Sequence, residues 1–127
     1  MKKPLRPLGE SEMEVLHVVW KLKEASVPQV HNEILKSRKV AYTTIMTIMK
    51  KLADKGLLQF YKQGNAYVYQ AAQPEEKVKH SLLQQLLDKV FKGSPGELVQ
   101  NLVEHESLSA AQRKEIEAAI KKLDKKP

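Results

Sequence analysis

Apolar residues recur with a helical period through the first half of the chain, which predicts two successive amphipathic helices. The first helix is expected to begin at Ser11, because Ser11 and Glu14 have the Ser-x-x-Glu spacing of a capping box, and its apolar face is formed by Met13, Leu16, Val19 and Trp20. The second is expected to begin near Ser26, with Pro28 in its first turn, and to bury Val30, Ile34 and Leu35.

A third helix is predicted from Tyr42 to Lys55, with Gly56 as its left-handed C-terminal cap. Its apolar positions follow the steps i, i+3, i+4 and i+7 and are occupied by Ile45, Ile48, Met49 and Leu52. The opposite face is short, polar and basic, and consists of Thr43, Thr44, Met46, Thr47, Lys50 and Lys51.

The hydrophobic period then changes from 3.6 to 2. Residues 57–61 and 66–71 are rich in aromatic and branched side chains and are predicted to form a β-hairpin that turns on Gly64 and Asn65. Three helices followed by a basic hairpin is the order of a winged helix-turn-helix. Lys62 and Tyr67 would lie at or near the wing, where they can contact phosphate.

Residues 1–73 are predicted to form a winged-helix domain, and residues 74–127 a second, helical domain. The expected fold class is therefore mainly α with a small β-hairpin. A unit of this size has a marginal core as a monomer. We therefore expect its apolar residues to join two chains into a homodimer, with contacts that include Leu82, Leu86, Leu102 and Ile120. The alternative, that the first domain absorbs these leucines, stays open.

Charge is distributed unevenly along the chain. The net charge is +7, and residues 1–72 carry 12 Lys/Arg against 6 Asp/Glu, whereas residues 73–127 carry 10 against 9. A one-sided basic excess is typical of proteins that bind a polyanion, usually nucleic acid, although a lysine-rich solvated surface would give the same count. The helical pattern favours the first interpretation.

The third helix suits the major groove of double-stranded DNA, because threonine offers a hydroxyl to base edges and a methyl group to thymine. We expect base contacts from Thr43, Thr44, Met46 and Thr47. Contacts to the DNA backbone, which supply affinity without sequence information, are expected from Tyr42, Lys50, Lys51, Lys55, Lys62 and Tyr67.

Signals for catalysis and cofactor binding are weak. The sequence has no cysteine, its four histidines show no ligand spacing, and it lacks a P-loop, a glycine-rich phosphate loop and a serine nucleophile elbow. We expect neither an enzyme nor a metal or cofactor site. The start of the chain has no apolar segment of signal-peptide length, so we expect a cytoplasmic protein without membrane insertion.

Several runs of residues carry a resemblance that covers nearly the whole chain. They are Leu8-Gly9-Glu10-Ser11-Glu12, Ala41-Tyr42-Thr43-Thr44-Ile45-Met46-Thr47, Leu52-Ala53-Asp54-Lys55-Gly56-Leu57-Leu58 and Ala66-Tyr67-Val68-Tyr69. With them the sequence resembles the penicillinase-repressor family of BlaI/MecI type, which also includes CopY-type copper-responsive repressors.

The resemblance implies a homodimeric repressor of a β-lactam-resistance or stress operon, bound to a palindrome of TACA/TGTA half-sites. It implies relief of repression through a membrane-bound sensor-protease system, with Asn101-Leu102 as the matching cleavage position. Three features differ from branches of the family: the staphylococcal branch has arginine in place of Met46, the β-lactam-responsive branch has phenylalanine in place of Leu102, and the copper-responsive branch has paired cysteines that this chain lacks. Thiol-based copper release is therefore excluded.

Two other functions fit the same pattern. The chain would also be consistent with a winged-helix regulator of another family, or with a protein-interaction module that does not bind DNA, since the winged helix serves both purposes. Steep salt dependence of binding to a cognate duplex separates a repressor from an interaction module.

Overall fold

The computed structural model describes residues 8–105 and 107–124. The described residues form two compact units, which divide between Gln84 and Gln85. The elements in chain order are α1 (Glu10–Leu22), β1 (Glu24–Ser26), α2 (Val27–Leu35), α3 (Tyr42–Asp54), β2 (Leu58–Gln63), β3 (Ala66–Ala71), α4 (Glu75–Val90), α5 (Pro95–His105) and α6 (Ala110–Asp124).

Helix α1 begins one residue before the predicted start, and the capping box expected there is absent. Gly9 is the N-cap, and no side chain caps the helix. The carboxylate of Glu14 instead accepts hydrogen bonds from the guanidinium of Arg38. The prediction was wrong because a tertiary ion pair outcompetes the local cap for this carboxylate.

Helix α2 begins as the sequence predicts. The Ser26 hydroxyl accepts a hydrogen bond from the Gln29 main-chain N–H, and the Gln29 side chain accepts one from the Ser26 N–H, which completes a capping box. Val30 and Ile34 are buried as expected, but Leu35 is 42% exposed. The prediction that Leu35 is buried was wrong, because Leu35 is the last residue of the helix.

Helix α3 buries its four predicted apolar residues, Ile45, Ile48, Met49 and Leu52. Gly56 follows with a φ of 78°, which is the left-handed conformation that the sequence predicted for the residue ending this helix.

The sheet has three antiparallel strands in the order β1-β3-β2. Strands β2 and β3 form the predicted hairpin, with Gly64 at φ 62° in the turn. Lys62 and Gln63 belong to β2 rather than to the loop, so that the turn itself is two residues long. Strand β1, which the sequence pattern did not reveal, pairs with β3 through Ala25 and Tyr69.

The core of the first unit lies among the three helices and the base of the sheet. Its largest fully buried side chains are Leu16, Ile45, Met49, Leu52, Leu57, Val15, Val19, Val30 and Val78. Val78 comes from α4, and Leu82 packs partly buried against the same core. The first turns of α4 therefore complete the winged-helix unit, and the division between units falls inside α4.

The second unit contains the end of α4 and the helices α5 and α6. The α5 and α6 helices contain no buried residue. Helix α6 begins at a reciprocal cap, in which Ser109 and Gln112 bond each other through side chains and main-chain N–H groups. The large apolar side chains that stay exposed here are Leu86, Val90, Val99, Leu102, Val103, Ile120 and Leu123.

Candidate nucleic-acid interface

The outer face of α3 presents three threonines and two lysines to solvent. Thr43, Thr44 and Thr47 are exposed, and Lys50 and Lys51 continue the same face one turn later. The buried residues of the helix occupy the opposite side, which fixes the orientation of this polar face.

Two residues of this face differ from simple exposed side chains. Met46 is half-buried and packs against the core, so only part of its side chain is accessible. The hydroxyl of Thr47 donates a hydrogen bond to the main-chain carbonyl oxygen of Thr43, at 2.9 Å. Because its proton is engaged, Thr47 offers acceptor lone pairs and a methyl group to a partner.

The start of α3 is held by a histidine that the sequence analysis did not single out. His31 in α2 lies with its Nε2 atom 2.8 Å from the carbonyl oxygen of Val40, and its ring makes an edge contact with Tyr42 at 5.6 Å between centroids. This contact crosses the turn between α2 and α3 and positions Tyr42 at the first residue of α3. Sequence spacing gave no signal for it.

Lys55, predicted to contact the DNA backbone, forms an ion pair within the unit. Its ammonium lies 2.6 Å from a carboxylate oxygen of Glu12 in α1, and both side chains are about one-fifth exposed. The pair connects the end of α3 to α1.

Ion pairs also engage carboxylates of α1 and α2. Arg38, in the segment between α2 and α3, binds both carboxylate oxygens of Glu14, which holds the pKa of Glu14 below its usual value. Glu33 is paired with Lys21 and Lys36. Their negative charge is thus balanced locally.

Three lysines of α3 and the hairpin have no carboxylate partner of this kind. Lys50, Lys51 and Lys62 are exposed, and none of them forms an ion pair with a carboxylate in residues 8–105 or 107–124. Glu12, Glu14 and Glu33 are ion-paired while these cations stay available, so α3 and the hairpin present positive charge to a polyanion.

The hairpin places its two predicted phosphate ligands side by side. Lys62 on β2 stands directly opposite Tyr67 on β3, both are exposed, and the Tyr67 ring makes an edge contact with Phe60. On the other face of the hairpin, the Tyr61 hydroxyl donates to Glu24 of β1, which raises the pKa of Tyr61 and ties the wing to the edge strand.

The predicted dimer contacts fall into two groups. Leu82 packs, partly buried, against the core of the first unit, whereas Leu86, Leu102 and Ile120 are between 41% and 50% exposed. Asn101, at the position that matches the family's cleavage site, is exposed on α5 beside Leu102.

Neither metal-binding nor membrane-spanning features were found in the described parts of the chain. No three or more His, Asp or Glu side chains there come together as metal ligands would. None of the helices that the structure describes has both the length and the apolar character needed to cross a bilayer.

Comparison with known proteins identifies the family. Residues 8–122 match the family model described as penicillinase repressor. The methicillin resistance regulatory protein MecI of Mammaliicoccus sciuri is 30% identical over 91% of this chain and 94% of its own length, and the penicillinase repressor of Staphylococcus aureus is 28% identical over 94% of each chain.

Two solved structures match the first part of the chain at 32% identity. The DNA-binding domain of the repressor BlaI superposes with a TM-score of 0.52 over 59% of this chain and 90% of that domain. The monomeric form of Bacillus licheniformis BlaI, in complex with the blaP half-operator, superposes with a TM-score of 0.50 over 60% of this chain and 92% of that one. The winged-helix prediction is thereby confirmed, and the chain belongs to the penicillinase repressor family of DNA-binding transcriptional repressors.

Proposed function

We propose that this protein is a homodimeric repressor that binds a palindromic operator built on TACA/TGTA half-sites. The observation that carries the proposal is the exposed threonine face of α3, flanked by lysines without carboxylate partners. The half-operator complex of the related BlaI supports double-stranded DNA as the partner.

In this proposal the residues divide into two roles. Thr43, Thr44 and Thr47, with the accessible part of Met46, read base edges in the major groove. Backbone phosphates are contacted by Tyr42, Lys50, Lys51, Lys62 and Tyr67. Lys55, also expected at the DNA backbone, holds α3 to α1 through Glu12, which balances its charge in the free protein.

Dimerisation is assigned to residues 74–127, after the DNA-binding domain at 1–73. Supporting this, the helices α5 and α6 bury no residue within their own chain, although they carry large apolar side chains. Such a surface is stabilised when a second copy covers it. The first turns of α4, with Val78 and Leu82 on the winged-helix core, belong to the DNA-binding unit and lead into the proposed dimerisation segment.

The controlled genes are proposed to form a β-lactam-resistance or related stress operon, released when a membrane-bound sensor-protease system leads to cleavage between Asn101 and Leu102. Asn101 is exposed on α5, in the unit with few buried residues, where local opening costs little free energy. Cleavage there would detach α6 and its apolar residues, which would turn a two-site binder into weakly binding halves.

A gel-shift assay with duplex from the region upstream of the gene tests the proposal. A repressor should shift its own upstream duplex at nanomolar concentration, about a thousandfold below the concentration needed for random DNA. Equal affinity for both duplexes would contradict it and would favour a protein-interaction module.

A further inference from the structure

A cleft of about 360 Å³ opens in the first unit between the end of α1 and the segment that joins β3 to α4. Its volume lies in the range of small-molecule sites. It is lined by Val19, Trp20, Lys23, Ala71, Ala72, Gln73, Pro74 and Glu75. None of these residues belongs to the proposed DNA-contacting set on α3 and the hairpin.

Trp20, which lines this cleft, carries an unsatisfied donor. Its side chain is only 6% exposed, and its Nε1 atom is buried without a hydrogen-bond partner in the part of the chain that the structure describes. Buried indole N–H groups are normally hydrogen-bonded, because the lost bond to water is otherwise not replaced. A ligand with an acceptor atom would supply the missing hydrogen bond to the Trp20 indole N–H.

Lys23 supplies a positive charge to the same cleft. It ends α1 with φ 73° and ψ −52°, a conformation that residues other than glycine rarely adopt. Strained residues of this kind concentrate at functional sites. Lys23 forms no ion pair with any carboxylate among the described residues.

The acidic residue in the lining, Glu75, has a cationic partner in Lys79, which also lies 3.7 Å from a carboxylate oxygen of Glu76. The ammonium of Lys79 lies 2.6 Å from a carboxylate oxygen of Glu75. That hydrogen bond, with smaller contributions from the charges of Lys79, Lys23 and His17, lowers the pKa of Glu75. Lys23 acts on Glu75 only as a smaller electrostatic contribution and forms no ion pair in the described residues, so its ammonium can still pair with an anion.

We propose that this cleft is a binding site for a small organic carboxylate, whose acceptor atoms pair with the Trp20 indole N–H and the Lys23 ammonium while its apolar body packs on Val19 and Ala71. A carboxylate fits both groups, since one anionic group can accept from a neutral and a charged donor. Binding at this cleft needs no DNA and is therefore measured on the protein alone.

The test is a titration of the ¹⁵N-labelled protein with benzoate, followed by NMR. Trp20 is the only tryptophan in the sequence, so a single indole resonance reports on this site. Benzamide is the neutral probe of the same shape. Lys23→Gln removes the proposed partner, and Lys21→Gln, an exposed lysine of the same helix outside the cleft, is the matched control.

Benzoate should move the indole proton resonance downfield to saturation below about 10 mM, as expected when the N–H gains an acceptor. Lys23→Gln should weaken benzoate binding about tenfold, and should leave benzamide binding and the Lys21→Gln variant unchanged. Absence of saturable movement at that concentration would overturn the proposal. So would equal affinity of the wild type and Lys23→Gln for benzoate.

Discussion

Thr47 and Thr43 are joined by a hydrogen bond from the Thr47 hydroxyl to the Thr43 carbonyl oxygen, one turn back along α3. The Thr44 hydroxyl forms no bond within residues 8–105 or 107–124, so it keeps its proton for a base edge or a phosphate. The two threonines therefore offer different chemistry to DNA, although the sequence makes them look equivalent.

Both threonines should contribute to operator affinity, Thr44 through its free hydroxyl and Thr47 through its methyl group and acceptor lone pairs. Thr44→Ala and Thr47→Ala should each weaken binding to the cognate duplex by about 1 to 3 kcal/mol and leave binding to random duplex unchanged. Thr47→Val keeps the methyl group and should cost less than Thr47→Ala. Fluorescence anisotropy on both duplexes measures these losses, and equal losses on cognate and random DNA would refute base readout.

Lys62→Ala is expected to act differently, because a phosphate contact is independent of sequence. It should weaken cognate and random duplex by the same factor and reduce the slope of log affinity against log salt by about 1. Lys114→Ala, an exposed lysine on α6, is the matched control and should leave both affinities unchanged. A loss confined to the cognate duplex would place Lys62 at a base rather than at the backbone.

A charge at the proposed dimer surface should separate the chains. Leu86→Glu places a carboxylate where the side chain is 44% exposed in the single chain, so the winged helix should stay folded while the dimer is lost. Sedimentation should show a monomer, with affinity for the full palindrome reduced about a hundredfold or more. Leu35→Glu, at a similarly exposed leucine on α2, should remain dimeric. A monomeric wild type at micromolar concentration would defeat the assignment.

The pair of Glu14 and Arg38 predicts a stability that depends on pH. The hydrogen bonds from Arg38 lower the pKa of Glu14 in the folded state below its unfolded value, so the stabilisation is present above the unfolded pKa and is lost as pH falls through the folded one. Glu14→Gln should therefore lower the thermal midpoint at pH 7, and the difference from wild type should shrink below about pH 4.

Glu115→Gln is the control for this comparison, since Glu115 is exposed on α6 and forms no ion pair in the described ranges. A constant difference between Glu14→Gln and wild type at all pH values would show that the carboxylate charge does not contribute.

Cleavage is tested by exposing the host to a β-lactam and following the chain by mass spectrometry. Fragments that end at Asn101 should accumulate as repression is lifted, and untreated cells should keep the intact chain. Cleavage should be slower in the DNA-bound dimer, because a peptide bond in a packed helix must open before it is cut. Derepression with the chain intact would remove this mechanism.

The sequence predicted most elements of the fold because their signals are local. The period of apolar residues located α3, the capping residues located α2, and Gly64-Asn65 located the hairpin turn. The sequence pattern did not predict strand β1, because three residues are too few for a periodic pattern. The strand forms only through its pairing with β3.

These local patterns could not predict contacts between residues that are distant in sequence. Apolar spacing marked Leu82 as a contact residue but could not show that it packs, together with Val78, on the winged-helix core. Lys55 looked like its neighbours Lys50 and Lys51, yet Glu12, 43 residues earlier, engages it. Periodicity identifies a face of an element, whereas partners distant in sequence are set by how the elements pack.

The central claim, sequence-specific binding to a palindrome, is tested most directly by anisotropy titrations of a labelled duplex at several salt concentrations. The TACA/TGTA palindrome and a scrambled duplex of the same composition are compared under identical conditions. The account predicts nanomolar affinity for the palindrome, about a thousandfold weaker binding to the scrambled duplex, and a log-log salt slope of about −5 to −9. Equal affinity for the two duplexes, or binding that salt does not weaken, would contradict it.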